Sequence, residues 1–238
     1  MILTQCKSAP LNISRGGVTP PADIYYNLSA WFNALPQNVV MGTTNLVSQM
    51  TDISGKGHNI TQATEGLKPL WKDSFCNGYP IVRFRGEITA ACNLASASYT
   101  IGTPVHWFLA GRALSYVLYD TICTTGGGDY VSPYYTNRTF YIQTTDSYVP
   151  IPMVSTPVII QVSINGSFSF VICNTTRGPF INVSAFGTGG IFMGCRGTGN
   201  AGSPFDLAEL LLYGGKMDDA QQFRIRKYLG NKYGIDVI

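Results

Sequence analysis

Residues 205–234 read FDLAELLLYGGKMDDAQQFRIRKYLGNKYG, and the fold turns on how they are read. Leu207 to Tyr213 is a short apolar run that stops at Gly214–Gly215, the pattern of a buried strand. A helix start follows at once. Asp218 can cap it, and Gln221, three positions on, can reach back in a capping box. Ile225, Tyr228 and Leu229 fall on one stripe with Phe223 nearby, basic residues fill the later turns, and Gly234 is a natural stop. So narrow a stripe cannot hold a helical domain together. It predicts one helix, 218–233, lying against a sandwich of strands.

Upstream, the chain from Tyr25 onward is made of short strand-like runs broken by Gly, Pro, Asn and Asp. Val82 and Phe84 alternate with Arg83 and Arg85, the mark of a half-buried strand. Further strands are expected at 105–110, 115–121, 140–144, 158–164, 168–173 and 191–193, a spacing that suggests a sandwich or barrel. Asn165–Gly166 is a strong hairpin signal. A three-residue loop, Asn165 to Ser167, pairs Ile164 with Phe168 and Val162 with Phe170. That puts all the large apolar groups on one face, so this register is expected. Residues 1–22, broken by Pro10, Gly16–Gly17 and Pro20–Pro21, read as an extended N-terminal arm, and 23–238 as one domain.

Composition excludes several classes. Only 12% of the 238 residues are charged and 45% are apolar, a globular balance with too many aromatics for a disordered chain. A chain of this length buries about 70% of its unfolded surface, so it needs no staples to fold. The net charge is +3 and the 16 basic residues are scattered, so no nucleic-acid partner is expected. The densest basic cluster, Arg224, Arg226 and Lys227, reads as a solvated helix end complementing its dipole. No run approaches the ~18 apolar residues of a membrane span, and the first residues lack a leader pattern. No membrane insertion and no ordinary secretory route are therefore expected. The six cysteines form no C-x-x-C; most read as small core residues, with any disulfide pairing left open. Seven N-x-S/T triplets, at Asn12, Asn27, Asn59, Asn137, Asn165, Asn174 and Asn182, read as by-products of a surface rich in Asn, Ser and Thr.

Several segments carry a resemblance. LSAWFNA at 28–34, LVSQMTDISGKGHNITQATEGLKPLW at 46–71 and NGYPIVRFRGE at 77–87 resemble the opening strands and D-x-S-G-x-G turn of laminin-G-like, concanavalin A-like jelly rolls. These occur in bacterial surface proteins and bacteriophage virion proteins. Ala208, Glu209, Leu210, Leu211 and Tyr213, then Tyr228, Leu229, Lys232, Tyr233 and Gly234, are similar to the family's last strand and closing helix. The resemblance implies an all-β, two-sheet antiparallel jelly-roll sandwich with an N-terminal arm and one C-terminal helix. The middle, about 90–190, carries no such signature.

No catalytic set stands out. Glycosidases on sandwiches need two carboxylates on one face, and the chain has no E-x-D or D-x-E. Asp206 and Glu209 have opposite parity in a regular strand, and Asp218 and Asp219 belong to the helix start. His58 reads as a turn histidine and His106 as a core one, so neither catalysis nor a metal is expected. The Asp52 turn has too few hard ligands for calcium. Gly197, Gly199 and Gly202 match G-x-G-x-x-G but precede a strand, not the helix that phosphate binding needs. Tyr130, Tyr134 and Tyr135, around Pro133 in a loop-like region, are the expected partner or glycan contact surface. The expectation is thus a non-enzymatic structural or accessory virion protein of a bacteriophage, without cofactor. It would adhere to other virion proteins or copies of itself and be released by lysis. The alternative is a glycan-binding module of a bacterial cell surface, and a third reading, disfavoured by the acids, is a glycan-cleaving enzyme.

Overall fold

The apolar run near the C-terminus is the strand Phe205–Gly214, and it lies at the heart of an all-β, two-sheet antiparallel sandwich of jelly-roll type. The computed structural model describes residues 20–21, 25–42, 44–73, 75–85, 93–114, 123–125, 130–134, 139–143, 147–150, 156–183, 190–194 and 204–238, with the backbone alone over 123–150. The expected arm at 1–22 falls almost wholly outside these residues, as do the strand expected at 115–121 and the G-x-G-x-x-G match.

The first sheet runs in the order Thr176–Arg177, Gly166–Cys173, Val158–Ile164, Val105–Ala113, Phe205–Gly214, Ile81–Phe84, Leu70–Lys72. Ile181–Val183 adds to Gly166–Cys173, and Leu28–Asn33 adds to Phe205–Gly214. The second sheet runs Ser147–Pro150, Thr139–Gln143, Tyr130–Tyr134, Cys123–Thr125, Ile191–Met193, Leu94–Ser96, Ile60–Thr61, Val47–Met50, Val39–Met41. Among the described residues every strand pair is antiparallel.

Two cores result, and the first sheet separates them. Phe32, Phe84, Leu109, Val162, Phe205 and Leu210 meet Met50, Ile60, Leu94 and Ile191 of the second sheet in the sandwich core. On the outer face, Trp31, Phe108, Leu211 and Tyr213 meet Ile225, Tyr228, Leu229 and Tyr233 of the helix. Central strands of the first sheet are therefore buried on both faces; Val158–Ile164 is buried along its whole length. This overturns the expected hairpin register. Val162 pairs with Val171 and Ser163 with Phe170, so Asn165 to Phe168 form the turn, closed by Phe168 N donating to Asn165 O at 3.1 Å. The expectation put all bulky groups on one buried face. Here Ile160, Val162 and Val171 fill the sandwich core while Ile159 and Phe170 face the other way, so two-sided burial removes the constraint that selected the three-residue loop.

The helix spans Asp219–Tyr233 with the expected capping box between Asp218 and Gln221. It ends at Gly234 in the left-handed region (φ 66), where a side chain would strain the turn. Not all of its basic residues are solvated, however. Arg226 and Lys232 are buried docking groups. Arg226 donates to Gln161 Oε1 and to the carbonyl of Ile238, and Gln161 Nε2 donates to Gln222 Oε1 at 2.5 Å.

The cysteines divide. Cys76 lies in the helix-side core and is disulfide-bonded. Cys173 is a buried free thiol, pushed up to about 12 by desolvation. Among the described residues, no helix is long and apolar enough to cross a membrane.

Candidate functional site

The two acids of the last strand come first, because paired carboxylates are what a glycosidase would need. A regular strand sends Asp206 and Glu209 to opposite faces. The ladder with Val105–Ala113 instead shifts register between Leu207 and Glu209, leaving Ala208 as an extra residue. The shift sits where the neighbour on the other side changes from Ile81–Phe84 to Leu28–Asn33, and Ala34 N donates to Ala208 O there. Gly111 sits opposite, because a Cβ there would lie 2.4 Å from the Asp206 carbonyl oxygen. Both acids therefore face the helix side, correcting the parity argument.

Neither is available to a substrate. Asp206 is fully buried; Arg83 Nε and a terminal Arg83 nitrogen donate to it at 2.7 and 2.8 Å, and Arg112 Nε at 2.7 Å. That bond holds the Arg83 guanidinium above its usual range. Glu209 is equally buried and accepts four hydrogen bonds. Trp31 Nε1 (2.6 Å) and Tyr228 Oη (2.9 Å) donate to Oε1, and Lys232 Nζ (2.7 Å) and Tyr233 Oη (2.9 Å) to Oε2. Burial, then the Glu209 charge, pushes the Tyr228 and Tyr233 hydroxyls well above the usual phenol range, so both remain donors. These acids pin the closing helix and the strand edge. Replacing Asp206 with alanine is expected to cost about 2–3 kcal/mol, since two arginines lose a charged acceptor while keeping partial access to water. An unchanged urea midpoint for Asp206→Ala would show that the cluster is dispensable.

The open chemistry lies at one end of the sandwich. Asp52 builds it: its Oδ1 accepts from the backbone N–H of Trp31 and Ser54, and its Oδ2 from that of His58, each at 2.9 Å. With Asn59 Oδ1 accepting from Asp52 N, the 52–59 turn is locked onto the strand Leu28–Asn33. That uses the carboxylate the sequence offered to calcium, and among the described residues no group of three metal-ligating side chains assembles. The turn delivers His58 onto Tyr99, the rings stacked 3.7 Å apart and 4° from parallel. Tyr25 and Tyr26 stand at the mouth, and Tyr26 is 73% exposed. Together with Lys56, Ser29 and Thr100 these groups line a cleft of about 580 Å³. Its described lining contains no carboxylate.

His106 is a core residue, as expected. It is buried on the outer face of the first sheet with Nδ1 2.5 Å from Ser163 Oγ. Desolvation pulls its imidazole down to about 4, opposed by a backbone hydrogen bond at Gly215. Tyr130 and Tyr134 lie not in a loop but at the two ends of the strand Tyr130–Tyr134. Pro133 is tolerated there because the described pairing with Cys123–Thr125 stops at Val131. Tyr135 lies outside the described residues. Sequence reading missed Tyr25, Tyr26 and Tyr99. The usable signal was the aromatic doublet Tyr25–Tyr26 just ahead of a strand.

No family model matches the chain, and no curated protein does. Solved structures do share its fold. It is similar to an arabinofuranosidase complexed with arabinofuranosyl-α-1,2-xylobiose, at 12% identity over 90% of this chain and 65% of that one, with a TM-score of 0.64. A GH54 α-L-arabinofuranosidase soaked with 4-nitrophenyl α-L-arabinofuranoside gives 13%, 90%, 66% and 0.63. Trypanosoma rangeli sialidase in complex with sialic acid gives 9%, 90%, 34% and 0.55. The chain thus spans just under two thirds of the arabinofuranosidases and about a third of the sialidase. At such identities the likeness is one of fold.

These neighbours correct the virion expectation. They are glycosidases, not virion components. The expectation of no enzymatic activity gains no support from them either.

Proposed function

We propose that this chain is a glycan-binding domain that takes saccharide into the Tyr25–Tyr26–His58–Tyr99 cleft. The observation that carries this reading is the stacked His58–Tyr99 pair lining one open cleft with two exposed tyrosines. Flat aromatic groups offer apolar surface to a pyranose or furanose ring at little entropic cost. Around them Asn27, Ser29, Lys56 and Thr100 supply a few polar groups to fix orientation, the usual make-up of a small-ligand site. The glycosidase likeness of the fold and the resemblance to laminin-G-like jelly rolls support the same reading. A disulfide at Cys76 suits an oxidising, cell-surface or extracellular setting.

Titration of the intact chain against arabinoxylan oligosaccharides and other neutral glycans should show saturable binding. Tyr26→Ala should weaken it about tenfold, as expected for an exposed aromatic anchor worth about 1.4 kcal/mol. Equal binding by wild type and Tyr26→Ala would move the site elsewhere. Release of new reducing ends from the same glycans would convert the reading from binding to hydrolysis.

A further inference from the structure

A second cleft, about 330 Å³, flanks the same corner as the first: Pro104, Lys216 and Met217 line it, where Thr103 and Gly215 line the other. Its floor is a row across three strands of the first sheet, in which Phe170 pairs with Ser163 and Ser163 with His106. The hairpin tip holds Phe168 outward, and Phe180 meets both Phe168 (ring centroids 6.1 Å, 84°) and Phe170 (5.8 Å, 87°). Between them lies Arg177, its guanidinium carbon 4.0 Å from the Phe170 ring centroid and 4.4 Å from that of Phe180.

Two features set this apart from ordinary surface packing. Phe168 and Phe180 are 65% and 55% exposed and belong to neither core, so the fold does not need them. Arg177 and Lys216 form no ion pair among the described residues, and the described lining holds a single acid, Asp219. An arginine whose guanidinium is already held against two rings loses little freedom when it engages a carboxylate, and its fork matches that group's geometry.

We propose that this cleft recognises an acidic pyranose, with the sugar carboxylate on Arg177 and Lys216 and the apolar ring face on Phe168 and Phe180. The inference rests on the reading of the chain as a glycan-binding domain but names a different site and ligand class.

The test is an NMR titration of the intact chain with D-glucuronate, its methyl ester, glucose, and an N-acetylated dipeptide with a free carboxylate. Glucuronate should shift resonances of 163–180, with the ester and glucose at least about tenfold weaker. Arg177→Gln should abolish the preference for acid over ester. Phe180→Ala should weaken both ligands, and Tyr26→Ala should leave glucuronate affinity unchanged. Far-UV circular dichroism checks that each variant is folded. The proposal falls if the ester binds as well as the acid, if Arg177→Gln keeps the preference, or if the dipeptide binds more tightly than glucuronate. Glucuronate binding without any neutral-glycan binding would overturn the Tyr25–Tyr26 reading and uphold this one; the reverse pattern would do the opposite.

Discussion

Glu209→Ala is expected to lower the unfolding free energy by about 3–5 kcal/mol, the largest single effect in the molecule. The carboxylate is fully buried and satisfies four donors from two elements: Trp31 of the opening strand, and Tyr228, Lys232 and Tyr233 of the helix. Removing it strands the Lys232 ammonium, which also bonds Tyr228 Oη at 3.1 Å and has almost no access to water. An uncompensated buried charge costs more than the lost bonds themselves. For a domain of this size the loss corresponds to about 6–20 °C in melting temperature. Glu209→Gln should fall between wild type and alanine, because it keeps one acceptor but turns an amide toward two donors. Because the helix packs on its own core, hydrogen exchange at 225–233 should accelerate before exchange in the sandwich strands. Equal exchange in both regions, with an unchanged melting point, would mean that the helix is held by apolar contact alone.

A comparable effect is expected from pH through His106. Its folded imidazole is pulled down to about 4 by burial, from an ordinary 6.5. As pH falls through 6.5 the unfolded chain takes up this proton while the folded chain does not. The contribution is fully present above pH 6.5, declines between 6.5 and 4, and is absent below, amounting to about 3 kcal/mol. Other groups titrate in this window, so the measurement is a difference. Urea unfolding of wild type and His106→Gln, each from pH 7.5 to 4, should give curves that converge toward low pH. His58 is present in both proteins and cancels. Parallel curves would show that the imidazole accepts its proton without leaving the fold, with Ser163 able to receive the bond.

Part of this molecule could be read in one dimension. Local signals needed only neighbours in sequence: Asp218 and Gln221 for the cap, Gly234 for the stop, the alternation around Arg83, and the apolar run at Leu207–Tyr213. Those features are built by hydrogen bonds and side-chain directions within a few residues, so their sequence patterns suffice. The candidate clefts were less legible. His58 reaches Tyr99 only because Asp52 ties its turn to a distant strand edge, and Arg177 meets Phe170 only across a hairpin. A lone tyrosine or arginine in a polar stretch carries no mark of such a neighbour.

By itself, then, the amino-acid order determined that the chain is a β-sandwich closed by one capped helix, because hydrophobic period and capping are local. Tertiary structure alone decided which faces were buried. With the helix laid on the first sheet, the central strands face apolar surroundings on both sides, and that displaced the hairpin register from Phe168 to Ser169 opposite Ile164. It also took Asp206 and Glu209, brought to one face by a single extra residue, out of reach of any substrate. Burial depends on what packs from far along the chain, and that is information no window of sequence contains.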